Sequence, residues 1–172
     1  EVTGLEAGEL LVLLNVGHQS SVLCLFSERG PVVARYLDVG VTAFTEALRR
    51  AFSIPAAGLD TFMQSLPYTE TGRVQAACRE QLDRMAEDIR LSMTFYRTEY
   101  DRESVPRFAL SGWTEMPQLG RWLADRLTLT APFEILDPFG AVEMRLDSPR
   151  SEDPRFGGPQ YLQAFGLALR GL

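Results

Sequence analysis

The sequence predicts an α/β domain: a mixed sheet that opens as an antiparallel meander and carries flanking helices. Three observations predict it. Two apolar runs between Leu10 and Phe26 flank a short polar turn built on Gly17, and a third strand-like run follows the turn at Glu28 to Gly30. An apolar seam of helical period joins Val74, Cys78, Leu82, Met85, Ile89, Met93 and Tyr96. Finally, Val105 to Leu127 reads strand, glycine loop, helix, the order of a βα unit.

Taken in order, residues 1–8 form a polar lead-in and the fold starts near Glu9. Pro31 to Leu37 is the third strand, with proline at the position where no ladder donor is needed. Asp38 to Gly40 breaks the sheet, and Thr42 is placed to cap a helix running to Phe52, with Phe44, Leu48 and Phe52 on one stripe. Ser53 to Glu70 holds Pro55, Gly58 and Pro67 and reads as a linker with one helical turn around Leu59 to Met63. The seam belongs to a single helix from Gly72 to Arg97. Its other face, with Arg73, Glu80, Arg84, Glu87, Asp88 and Arg90, is a solvated one.

After a charged connector at Glu99 to Glu103 come a strand at Val105 to Leu110, a loop from Ser111 to Pro117 and a helix from Gln118 to Leu127. That helix buries Leu119, Trp122, Leu123 and Leu127. Thr130 to Ile135 is a further strand. Residues 9–147 therefore make one lobe, residues 148–159 a loop rich in proline, glycine and charge, and residues 160–172 a closing apolar helix with small Ala164, Gly166 and Ala168. No internal repeat is present.

Composition excludes several functions. With 172 residues, 45% hydrophobic and 23% charged, the chain can bury a core, and its net charge of −6 opposes a nucleic-acid surface. No apolar run approaches the length of a membrane span. All 17 basic residues are arginine, so neither a P-loop lysine nor a lysine Schiff base can form. His18 is the one histidine, which removes multi-histidine metal clusters, and no G-x-S-x-G elbow occurs. Cys24 and Cys78 read as small core residues of a reducing, cytoplasmic setting.

The polar turn is the candidate site. Asn15, Gly17, His18, Gln19 and Ser20 combine an amide, a glycine, an imidazole and hydroxyl chemistry at a hairpin tip, where backbone N–H groups can meet an anion. The order of elements and turns resembles the second lobe of actin-like ATPases with their ribonuclease H-like sheet, and among them the PilM family of type IV pilus assembly. In that superfamily the first hairpin carries a D-x-G-x-x-T/S phosphate loop, whose place Asn15 to Ser20 takes. The adenosine loop, a strand followed by S/G-G and L/M-P, is similar to Leu110-Ser111-Gly112-Trp113-Thr114-Glu115-Met116-Pro117. Tyr36 to Gly40, Met93 to Tyr96 and Pro159 to Arg170 resemble the family's third-strand turn, the aromatic end of its long helix and its closing helix.

The resemblance implies a nucleotide site of Asn15, Gly17, His18, Gln19, Ser20, Ser111, Gly112 and Trp113, with ATP and Mg²⁺ as its ligands. It also departs from the family there. Asn15 replaces the aspartate that helps to hold the metal, Ser111-Gly112 replaces a double glycine, and the family's Glu and Lys toward the adenine ribose have no counterpart. The implied function is a cytoplasmic scaffold of pilus or related secretion assembly with a degenerate nucleotide site. The alternative is an active actin-like ATPase, with Glu46 or Glu115 as its general base. The implied partner is the cytoplasmic tail of a PilN-like inner-membrane protein, bound mainly by the family's other lobe, and the closing helix is a surface for self-association.

Overall fold

The computed structural model describes residues 5–58, 61–62, 70–100, 105–113, 116 and 118–136. Its centre is a five-stranded mixed sheet in the order β3-β2-β1-β4-β5. The hairpin and the third strand form as expected: β1 (Glu9–Val16), β2 (Ser21–Ser27) and β3 (Gly30–Leu37) run antiparallel in sequence. The next strand, β4 (Val105–Gly112), pairs parallel to β1 on its other side, so the helices between β3 and β4 make the crossover that a parallel pair requires.

Alternation along the strands decides which face the helices cover. Leu10, Val12, Leu14 and Val16 of β1 are buried, with Leu23 and Leu25 of β2 and Leu110 of β4 beside them in register. Against this face pack α1 (Val41–Phe52) through Phe44 and Leu48, then α2 (Thr71–Ala77) and α3 (Arg79–Tyr100) through the predicted seam. Val74, Cys78, Leu82, Met85, Ile89 and Tyr96 are buried, and Met93 packs partly buried against them. Each fully buried side chain of this size contributes about 1.5–3 kcal/mol, so the seam holds the crossover in place. α4 (Leu119–Leu127) buries Leu119, Trp122 and Leu123, leaves Leu127 half-buried, and is tied to α3 by Arg126 Nε donating to Asp83 at 2.6 Å.

Four expectations change. The long helix is interrupted at Cys78, whose backbone leaves helical geometry, yet Cys78 N–H still donates to the Val74 carbonyl and its own carbonyl accepts from Leu82. It is therefore a hitch in one rod, and the rod runs on to Tyr100. Its polar face is solvated as expected, with Arg73, Glu80, Arg84, Glu87 and Arg90 exposed and Asp88 half-buried against Arg35 of β3 at 3.1 Å. Ser111 and Gly112 belong to β4 rather than to the loop, since they continue the ladder opposite Asn15 and Val16. Gln118 is the left-handed residue before α4, at φ 67°, and not its first turn.

The strand expected at Thr130 to Ile135 shrinks to β5 (Glu134–Ile135), parallel to β4. Pro132 has no amide to give a ladder. Ahead of β5, Phe133 turns instead onto α4, where its amide meets the Gly120 carbonyl at 3.4 Å. The linker carries a 3-10 turn at Ala56–Gly58, and within the expected turn Thr61 and Phe62 are helical. The connector at 101–104, the loop at 148–159 and the closing helix at 160–172 lie outside the described residues.

Candidate functional site

Because β1 and β4 are adjacent and parallel, their C-terminal ends finish together, with Asn15 opposite Ser111 and Val16 opposite Gly112. Ligands of α/β sheets bind beyond such ends. The turn 17–20 leaves β1 here and the chain after Gly112 leaves β4 here, so the eight residues singled out in the sequence meet at one corner.

The turn is built by close backbone approach. Gly17 N–H donates to the Ser20 carbonyl at 3.1 Å, and a β-carbon on Gly17 would lie 2.5 Å from that oxygen. The carbonyls of Gly17 and His18 accept from the amides of Val41 and Thr42, both at 2.9 Å, and Thr42 Oγ1 also donates to the His18 carbonyl at 3.0 Å. The turn itself thus caps α1. Thr42 is not the N-cap, a place taken by Gly40 without a side-chain bond. A trans peptide sets its C=O and N–H on opposite sides, and the chain has no cis bond among the described residues. The amides of His18 and Gln19 therefore point away from α1. They, and the amide of Ser20, have no hydrogen-bond partner among the described residues, and all three residues are exposed. Successive outward amides of this kind form an anion-binding concavity.

Beside the turn, Asn15 Nδ2 donates to Ser111 Oγ at 2.8 Å, and Ser111 is fully buried. Gly112 adopts φ +79°, and a β-carbon there would lie 2.4 Å from the Val16 carbonyl oxygen. Only glycine lets the two strand ends close this far. Trp113 N–H then donates to the same Val16 carbonyl at 2.8 Å, and its ring sits 6.0 Å from that of Phe44 on α1. The indole is half-buried against the core and bridges the exit of β4 to α1.

Of the two proposed bases, Glu46 does not join this corner. Glu46 is exposed and lines a depression of about 390 Å³ with Arg49, Arg50, Ser53 and Ile54, toward the far end of α1. Glu115 lies outside the described residues. Burial pushes the Cys24 thiol up and the Cys78 thiol up to about 12, so both stay neutral and serve packing. Two contributors escaped the sequence reading, Gly40 and the α1 amides of Val41 and Thr42. The glycine immediately before a helix was the available signal.

The family model described as "Type IV pilus assembly protein PilM" matches residues 2–172. Among solved structures, the chain is similar to one titled PilM-PilN type IV pilus biogenesis complex, with 26% identity and a TM-score of 0.70 over 96% of this chain and 47% of that one. It shares its fold with the archaeal actin homolog Ta0583, at 15% identity and a TM-score of 0.56 over 96% of this chain and 50% of that chain. A further fold match is the ethanolamine utilization protein EutJ from Carboxydothermus hydrogenoformans, at 14% identity and a TM-score of 0.54 over 77% and 44% of the two chains. Ta0583 has also been solved in complex with ADP. The chain spans about half the length of these structures. No curated protein sequence matches it. Among the described residues, no helix is long and apolar enough to cross a membrane.

Proposed function

The chain belongs to the PilM family of type IV pilus assembly proteins, and from that premise we propose that it is an actin-like lobe of a pilus-assembly scaffold whose nucleotide site no longer holds a metal. The observation that carries this reading is the hydrogen bond from Asn15 to Ser111 at the joined ends of β1 and β4. An amide stands where the family's phosphate loop has a carboxylate, and with one of its two N–H donors held by a buried hydroxyl it offers a cation only a neutral Oδ1.

Mg²⁺ requires hard, anionic oxygen ligands in near-octahedral array. Residues 17–20 and 111–113 contain no carboxylate, Asp38 stands 95% exposed at 4.0 Å from Arg84, and Glu46 lies along α1. The described donor set does not fit the ion, so no step is derived through it. What remains is the outward amides of His18 and Gln19, which suit a phosphate group. The partner consistent with the family is a PilN-like pilus protein at the cytoplasmic side of the inner membrane, reached through its cytoplasmic tail. The similarity to the PilM-PilN complex supports that reading.

The second reading, an active actin-like ATPase, is favoured by those same unspent amides, because phosphate binding can survive the loss of the carboxylate. Titration calorimetry with Mg-ATP on a two-lobed form of the protein and on its Asn15→Asp variant separates the two. Ser111 can donate its hydroxyl to an aspartate at that position, so the variant keeps its local bond. A silent parent with a binding variant is the expected result. Mg-dependent binding and turnover by the parent would overturn the scaffold reading.

A further inference from the structure

We infer that the free edge of β3, together with the outer flank of α3, is a homotypic interface through which a second copy of this chain continues the sheet. Among the described residues, β3 ends the sheet on one side. The direction of its unpaired groups follows from hydrogen-bond alternation. The bond from Gly17 N–H to the Ser20 carbonyl marks a hydrogen-bonded pair, so Asn15 with Val22 and Leu13 with Cys24 are bonded pairs too. Ser21, Leu23 and Leu25 must then turn their backbone groups to β3, where they meet Leu37, Arg35 and Val33. The amides and carbonyls of Ala34 and Tyr36 consequently point out of the sheet.

The usual guards of an edge are weak here. The chain has no lysine, and Pro31 and the bulge beside it sit at the start of β3, leaving the rest of its edge open. Arg35, the one charge at the middle of the strand, is drawn onto Asp88 of α3 at 3.1 Å. Tyr36 is 81% exposed. Arg84 and Asp88 pair with Asp38 and Arg35, so α3 descends beside β3 in the opposite direction. Leu91 and Phe95 continue that same helix face at i+7 and i+11 from Arg84, flank the edge, and are 50% and 54% exposed.

Charge and shape select a second copy as the occupant. In an antiparallel pairing centred on Ala34, that small residue meets itself. Tyr36 then lies beside the second copy's Val32, the extra residue of the bulge, an aromatic and β-branched contact formed twice by symmetry. Asp38 falls opposite the second copy's Gly30, beside its Arg29, and these two side chains are 95% and 77% exposed. Arg35 faces the second copy's Val33, so no like charges oppose each other. Because α3 runs against β3, the same two-fold brings the Leu91 side chains of the two α3 helices together near the axis and sets each Phe95 toward the second copy's Arg84.

Sedimentation velocity on the 172-residue chain tests this. A reversible dimer is expected. Ala34→Pro removes an amide that bonds nothing within the sheet and should give a folded monomer, checked by circular dichroism, as should the surface change Leu91→Glu, which sets like charges together near the axis. Arg29→Asp should weaken the dimer about tenfold, and adding Asp38→Arg should restore it. A chain that stays monomeric at every soluble concentration overturns the inference. So does a dimer that survives both Ala34→Pro and Leu91→Glu, or an edge that takes only an extended segment of a different protein.

Discussion

A β-carbon on Gly40 would lie 2.5 Å from the Gln19 carbonyl carbon, 2.6 Å from the Ser20 nitrogen and 2.7 Å from the His18 carbonyl oxygen. All three atoms are backbone of the candidate anion turn, and none can swing aside as a side chain would. Gly40→Ala should therefore push the turn off α1 and cost about 1–3 kcal/mol, read as a lower urea midpoint with an unchanged slope. An unchanged midpoint would mean that the turn moves freely and does not depend on α1. The residues of the turn itself were legible, because a polar tip between apolar runs is a local pattern. Gly40 was not, since its reason lies in the turn before β2, and a glycine after a strand is equally well explained as a sheet breaker. The meeting of Asn15 with Ser111 was hidden for the same cause: only the pairing of β1 with β4 brings them within 2.8 Å.

At the scale of elements, α1 takes its first hydrogen bonds from the carbonyls of Gly17 and His18. A side-chain cap is worth about 1 kcal/mol where it satisfies an otherwise orphan amide. Thr42 satisfies none, and its hydroxyl only adds a second donor to an oxygen already bonded. Thr42→Ala should accordingly change stability by less than about 0.5 kcal/mol, the ordinary surface range, while Met85→Ala in the seam of α3 should cost about 2–5 kcal/mol. Chemical denaturation of the two variants side by side checks this, and a Thr42 loss approaching 1 kcal/mol would restore it as the cap. The seam was legible because seven apolar residues kept one period over the whole rod. The hitch at Cys78 was not, because it leaves that period intact. β5 was overread for a different reason: an apolar run looks like a strand whether or not its amides can join a ladder, and Phe133 is spent on α4 instead.

Over the whole molecule the antiparallel half of the sheet could be read from turns, whereas the parallel half rests on a crossover whose length and hand no local pattern states. The resemblance to actin-like lobes supplied that order, and the structure places β1 at the centre with β2 and β4 on its two sides. This arrangement has a consequence for local stability. A strand paired on both edges and buried on its helix face can release its amides only when the sheet comes apart, but an edge amide needs no such event. Val12 and Leu14 are fully buried and lie in the ladder with β4, and Leu13 lies in the ladder with β2. Native-state hydrogen exchange should find these amides opening at the global free energy of unfolding. Ala34 and Tyr36, on the outer edge, should exchange near the unprotected rate in dilute chain, along with His18 and Gln19 of the turn. Concentrating the chain should then slow Ala34 and Tyr36 and leave His18 and Gln19 unchanged, since only the first pair lies on the homotypic edge. Equal protection of β1 and β3 at all concentrations would show instead that the lobe opens as one unit, with its edge strand no more accessible than its centre.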